Sequence, residues 1–129
     1  MNTELNFLRK EALQELETNI LPFWMQQCID TEHGGFIGRI RGDGSADPDS
    51  PKGAILNARI LWAFSAAFRV LGKKEYIETA TRAKREIIDC FYDKEYGGVF
   101  WSLDSQGRPL DTKKQIYALG FAIYGLSEY

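Results

Sequence analysis

Apolar residues recur at helical spacing in two stretches, Leu5, Leu8, Ala12, Leu16 and Ile20, then Tyr76, Ala80, Ala83, Ile87 and Phe91. Charged residues fill most of the positions between them, so each stretch predicts a helix with one buried stripe. Pro22 is expected to kink or restart the first. A second pattern follows each of these. From Gly53 to Phe68 only Asn57, Arg59 and Ser65 carry polar side chains, and QIYALGFAIYGL is apolar on every side. Helices of that kind are buried all round. The first of them is predicted to start with Ser50 as N-cap and Pro51 at the first helical position, and to stop after Leu71 at Gly72.

The connectors between these helices repeat. DTEHGGFIGRIRGDG, from Asp30, and DKEYGGVFWSLDSQG, from Asp93, share the leading Asp, the Glu, both glycines and a closing Gly at a separation of 63. Upstream, Leu13, Ile20, Trp24 and Cys28 fall over Tyr76, Ala83, Ile87 and Phe91; downstream, with one residue deleted, WAFS at Trp62 falls over YGLS at Tyr124. In each connector a Gly-Gly pair opens a short extended segment (FIGRI, VFWSL) and Asp/Gly turn chemistry closes it.

Half-buried, fully buried, half-buried, fully buried is the order given by two concentric layers of helices. The expected fold is therefore all-α, with the first two helical hairpins of an (α/α)6 barrel at residues 3–72 and 73–129; a simple α-solenoid is the alternative. Two hairpins do not close a ring. Residues 1–129 are accordingly expected to be one partial domain, truncated relative to a barrel of roughly 370 residues. Alone, it is expected to be partly molten or oligomeric through its apolar inner helices.

Composition narrows the function classes. Of the 129 residues, 44% are hydrophobic and 26% charged, with a net charge of -2, which describes an ordinary globular chain. Without a basic block, nucleic acid is not an expected partner, nor is an anionic membrane surface. The start of the chain is a charged helical pattern rather than a signal core, and the longest apolar run is interrupted by Arg59, so no spanning segment is expected. Cys28 and Cys90 belong to no CxxC pair; read as buried thiols, they point to a reducing, cytoplasmic setting. One histidine and two scattered cysteines make no zinc set, and no metal is expected.

The segments NILPFWMQQCIDTEHGGF, KGAILNARILWAFSAAFR, DKEYGGVFWSLDSQGRP and KQIYALGFAIYGLSEY, in this order and spacing, resemble the N-terminal third of the N-acylglucosamine 2-epimerase superfamily, and within it cellobiose 2-epimerases. The resemblance covers nearly the whole chain. It implies an (α/α)6 barrel that inverts C2 of a reducing-end sugar, turning glucose into mannose in a β-1,4-linked disaccharide. The implied route is ring opening, loss of the C2 proton to a cis-enediol, and reprotonation from the other face, with no metal or nicotinamide cofactor. The family's acid/base pair is usually two histidines in later repeats. His33 matches neither, so this stretch alone is expected to be inactive.

Arg59 and Tyr117 stand where the resemblance implies sugar-contacting residues. Arg59 is the one permanent cation of an apolar helix. Buried and unpaired it would cost several kcal/mol, so it must meet a carboxylate, a carbonyl or a ligand. Its functional role would be donation to the carbonyl and enediolate oxygens; its structural role, an ion pair or a stem laid along apolar surface. Tyr117 would contact a sugar oxygen, while Phe121 and Tyr124, on the same stripe, read as core. Trp101 is the weaker candidate, as a stacking platform; Trp24 and Trp62 read as packing. Asp30, Glu32, Asp93 and Glu95 recur with the connectors and read as turn residues. His33 reads as a solvated turn residue, and Arg82, Lys84 and Arg85 as an exposed helix face.

The expected partner is a small sugar, with oligomeric state left open. An aldose–ketose isomerase or a glycosidase on a helical barrel is the enzymatic alternative. For a glycosidase the inner helices offer no carboxylate before Glu128, against the two that it needs. A non-catalytic helical repeat or carbohydrate-binding module is the third reading.

Overall fold

A computed structural model describes residues 3–129. The chain begins with α1 (Thr3–Glu15), widens into a π turn over Leu16–Ile20 and continues as α2 (Leu21–Gln27). At the π turn the Leu21 N–H reaches back to the Leu16 carbonyl, five residues rather than four. Pro22, which has no N–H to place in the ladder, stands at the head of α2 directly after this wider turn. Helical structure therefore runs on from Thr3 to Gln27.

The central helix α3 (Ala54–Leu71) starts later than its sequence suggests. Its cap is Gly53, and Ser50 and Pro51 lie outside it. The reason is a neighbour. Lys52 and Gly53 form β1, paired antiparallel with β2 (Ser102–Leu103) of the second connector. The first helical N–H, that of Ala54, donates to the Trp101 carbonyl at 3.1 Å, so a cross-connector bond satisfies one of the donors that a helix start leaves without an intrahelical partner. At the other end Gly72 closes the helix at φ 72°, its N–H on the Phe68 carbonyl at 2.8 Å. A third strand, β3 (Pro109–Asp111), completes the small sheet in the order β1-β2-β3, with an irregularity between Ser102 and Leu103.

After Gly72 comes α4 (Lys74–Glu86), extended by a π turn over Ile87–Phe91, and the chain ends in α5 (Ile116–Glu128). Both α4 and α5 pack on α3. The α4 stripe is buried as patterned: Tyr76, Ala80, Ala83, Ile87 and Phe91 all turn inward, and Tyr76 meets Phe64 of α3 at 6.2 Å between ring centroids.

Two expectations fail on burial. No residue of α1 is buried, and Leu5, Phe7 and Leu8 are all exposed, because α1 packs chiefly on its own π turn. Only Ala118, Ala122 and Gly125 are buried on α5, while Ile116 and Ile123 face outward. Its apolar composition thus records two sides, of which the described residues cover one. Finally, α3 is by length and composition apolar enough to cross a membrane, Arg59 notwithstanding, although α4 and α5 occupy its sides here.

The two connectors fold alike. Asp30 Oδ1 accepts the amides of Glu32 and His33 at 3.0 and 2.9 Å, and Asp93 Oδ1 those of Glu95 and Tyr96 at 3.0 and 3.1 Å. The glycine pairs that follow sit at φ 82° and 60° (Gly34, Gly35) and 75° and 73° (Gly97, Gly98), a region that favours glycine. The isolated bridges Ile29↔Phe36 and Tyr92↔Val99 close both turns.

Candidate functional site

Arg59 lies in the second turn of α3 and lines an apolar groove of about 750 Å3 between this helix and the α1–α2 segment. Leu16, Ile20, Trp24, Ile55 and Trp62 form its walls. No other charged residue lines it. Among the described residues the guanidinium has neither an ion-pair nor a hydrogen-bond partner, and Arg59 is exposed rather than buried. Of the two structural readings, the ion pair finds no carboxylate among the described residues, whereas the stem laid along apolar surface agrees with an exposed Arg59 beside this groove.

Tyr117 reaches the same region through a file of rings. It meets Phe121 edge-on at 5.0 Å, Phe121 meets Tyr124 edge-on at 6.1 Å, and Tyr124 stacks on Trp62 at 4.9 Å with 12° between planes. Phe121 and Tyr124, read as core, belong instead to a partly exposed aromatic surface: Tyr124 is exposed like Tyr117, and Phe121 is half-buried. Tyr117 itself does not line the groove, but its file ends on Trp62, which does.

Trp101 is placed elsewhere. Its backbone bridges Ala54 and Asp111, and the Lys113 ammonium stands over its ring at 5.1 Å; it lines no part of the Arg59 groove. Trp24 lies half-buried in the groove wall. His33 is exposed, 3.8 Å from the Asp30 carboxylate. Cys28 is a buried free thiol that burial pushes up to about 11, and Cys90 is free and half-buried.

A buried polar cluster escaped the sequence reading. Lys52, 1% exposed, donates to the Gly34 carbonyl at 2.6 Å and pairs with Asp30 at 2.9 Å and Glu86 at 3.8 Å. Arg82 is not on an exposed face as expected. The residue is half-buried and its guanidinium donates to the carbonyls of Gly35, at 2.8 Å, and Asp30, because α4 lies across the first connector. Lys84, also read as exposed, is half-buried and stands over the Tyr129 ring. Two cations and two carboxylates thus balance one another in the Lys52 cluster. Burial pushes Asp30 up, but the His33 amide, Lys52 and the Glu32 amide outweigh it and hold the carboxyl below its ordinary range. Burial dominates at Glu86 and raises it despite Lys52. The signal was in the repeat: Lys114 occupies the place of Lys52 in the second unit and pairs with Asp93 at 2.6 Å.

Chemically, the groove offers a permanent cation with open donors beside apolar and aromatic faces. Such a donor suits an oxygen that gains negative charge. No histidine or carboxylate lines the groove, so the described lining supplies no proton-moving group.

Comparison with known proteins gives this arrangement a family. The N-acylglucosamine 2-epimerase (GlcNAc 2-epimerase) profile matches residues 35–129. A cellobiose 2-epimerase of Bacteroides fragilis is 63% identical over 122 residues, 95% of this chain and 31% of that protein; one from Ruminococcus albus is 44% identical over 92% of this chain and 30% of its own length. Among solved structures, cellobiose 2-epimerase from Bacillus thermoamylovorans superposes with TM-score 0.93 at 43% identity, over 96% of this chain and 32% of that one. A D-mannose isomerase superposes with TM-score 0.74 at 29% identity, over 84% and 27%. The chain therefore spans about a third of the length of the relatives it matches. Its helical hairpins are those of the (α/α)6 barrel expected from the layering. With the profile covering the second connector, both inner helices and most of the first connector, the chain belongs to the N-acylglucosamine 2-epimerase family.

Proposed function

We propose that this chain forms the N-terminal part of a sugar 2-epimerase acting on the reducing end of a β-1,4-linked disaccharide such as cellobiose. The observation that carries the reading is the guanidinium of Arg59, without a partner among the described residues, in an apolar groove, together with the names borne by relatives 40–63% identical. In this reading Arg59 donates to the opened sugar's carbonyl oxygen and to the enediolate oxygen formed when C2 loses its proton. A cation at that oxygen offsets the charge that develops there. Tyr117 contributes a hydroxyl to a sugar oxygen at the exposed end of the aromatic file, and Trp101, shared with Lys113, is the weaker stacking candidate. The groups that remove and return the proton come from outside the groove lining described above.

The likeness to D-mannose isomerase favours a second reading, in which the same enediol is reprotonated at C1 and a ketose results. One experiment separates the two. The protein carrying this chain is incubated with cellobiose in heavy water, and the product is analysed by NMR. A mannose-ended disaccharide with deuterium at C2 is expected. A ketose product selects the isomerase reading, and cellobiose recovered without C2 exchange rejects both.

A further inference from the structure

Both inner helices begin in the same way, and neither with a side-chain cap. α3 starts at Ala54 after the extended Gly53, and α5 at Ile116 after the extended Gln115; neither cap residue bonds the helix through a side chain. The residue before each cap is a lysine, Lys52 and Lys114. A cation there stands at the positive end of the helix dipole, where it is unfavourable. Its placement needs another reason, and the connectors supply one. Each turn aspartate divides its two oxygens between two tasks. Oδ1 of Asp30 and of Asp93 accepts the turn amides, and Oδ2 takes the lysine, at 2.9 Å for Lys52 and 2.6 Å for Lys114. Each lysine thus ties the lead-in of an inner helix to the turn that opens the same connector.

Stability alone does not account for the two lysines. A buried ion pair gains little over apolar side chains of the same volume, because desolvating both charges offsets their attraction. Directional bonds instead fix a position. Lys52, 1% exposed, is held from three sides by the Gly34 carbonyl, Asp30 and Glu86 of α4, while its backbone pairs with Leu103. Lys114 is held less fully: its side chain is 32% exposed, and its ammonium stands over the Phe100 ring at 4.2 Å. The residues so placed are close by. Tyr117 is the second residue of α5, and Arg59 lies five residues beyond Ala54, about 7.5 Å along the axis. Arg59 has no partner of its own among the described residues, so its position follows the helix that carries it.

We infer that Lys52 and Lys114 are positioning residues, which anchor the starts of α3 and α5 to the connector turns and so set where Arg59 and Tyr117 stand. Neither lysine touches the sugar; each acts through the residue that its helix carries. The inference rests on the roles proposed above for Arg59 and Tyr117, but the anchoring itself is read without substrate.

The test uses the full protein carrying this chain, with the variants Lys52→Met and Lys114→Met. Amide hydrogen exchange read by mass spectrometry reports the anchoring. Exchange is expected to quicken about tenfold or more over residues 54–60 in Lys52→Met and 116–122 in Lys114→Met, with the rest of each helix unchanged. Kinetics report the consequence. Lys52→Met is expected to lower kcat about tenfold with KM kept within about twofold, since a small displacement of a donor costs most in the transition state. Each loss should vanish where the residue acted through is already changed: Lys52→Met adds nothing to Arg59→Leu, and Lys114→Met nothing to Tyr117→Phe. Unchanged amide exchange at both helix starts, exchange quickened evenly along the chain, or losses that add fully in these pairs overturn the proposal. If Lys52→Met does not fold, the less buried Lys114 decides by the same measures. A parent that exchanges no C2 proton of cellobiose withdraws the sugar reading instead, and amide exchange still decides the anchoring.

Discussion

Tyr124 lies flat on Trp62, ring centroids 4.9 Å apart and planes 12° from parallel, and this stack binds α5 to the helix that carries Arg59. Trp62 stands one turn beyond Arg59 and shares its groove, so the contact fixes both the wall of the groove and the end of the aromatic file. A double-mutant cycle with Trp62→Ala and Tyr124→Ala, read by urea denaturation, is expected to give a coupling of about 0.5–1.5 kcal/mol. Additive losses would show that the stack carries no energy of its own.

Arg59 separates a role in stability from a role in turnover. Without a partner among the described residues, its replacement by leucine should leave stability within about 0.5 kcal/mol, the range of surface changes. In the full protein, Arg59→Lys should lower kcat by about 100-fold or more, because an ammonium does not reproduce the guanidinium's fork. Retained turnover in the lysine variant withdraws the catalytic role.

Tyr117 rests its ring edge-on against Phe121 and is otherwise exposed, which isolates the hydroxyl as the variable. Tyr117→Phe keeps the ring and should lower kcat/KM roughly tenfold, the value of one hydrogen bond to substrate, with an unchanged thermal midpoint. A stability loss instead of a kinetic one would place the hydroxyl in the fold.

Two glycines of the first connector differ sharply in what they tolerate. Gly35→Ala meets the Glu86 carboxyl at a positive φ and should cost about 2–4 kcal/mol. Gly42→Ala meets nothing within 4 Å and should be close to neutral. Denaturant midpoints of the two variants check the contrast.

The Lys52 cluster gives two opposite pH signatures. Asp30 is held below its ordinary 3.8, so its contribution is present above that value and is lost as pH falls through the folded one. Glu86 is raised above 4.5, so its contribution is present below 4.5 and is lost as pH rises through the folded value. Denaturation midpoints from pH 2 to 8 should therefore flatten on the acid side in Asp30→Asn and on the neutral side in Glu86→Gln. A variant that tracks the parent removes its carboxyl from the account.

Hydrophobic spacing makes the α4 stripe and the left-handed Gly72 stop legible in the sequence, and the recurrent Asp and Gly-Gly pair shows the connectors. These are local signals, each contained within a few residues. The start of α3 was not legible, since it depends on the Trp101 carbonyl nearly fifty positions away. Nor was the burial of Lys52 and Arg82, which a charge count assigns to the surface and only the crossing of α4 over the turn explains. Of the site, Arg59 stood out as a lone charge in an apolar run. The stacking of Tyr124 on Trp62 joins different helices and had no sequence signal beyond their matching positions in the repeat.

The bond from Ala54 to the Trp101 carbonyl, with β1 laid along β2, has a consequence for how this chain tolerates insertions and deletions. A loop that merely linked helices would absorb a gained or lost residue locally. Here, lengthening the second connector ahead of Trp101 shifts the carbonyl against which α3 begins, and with it the angular setting of Arg59, although Arg59 belongs to the other hairpin. The one-residue difference between the two units falls beyond that anchor, after Gly107, in the stretch that holds β3 and leads into α5.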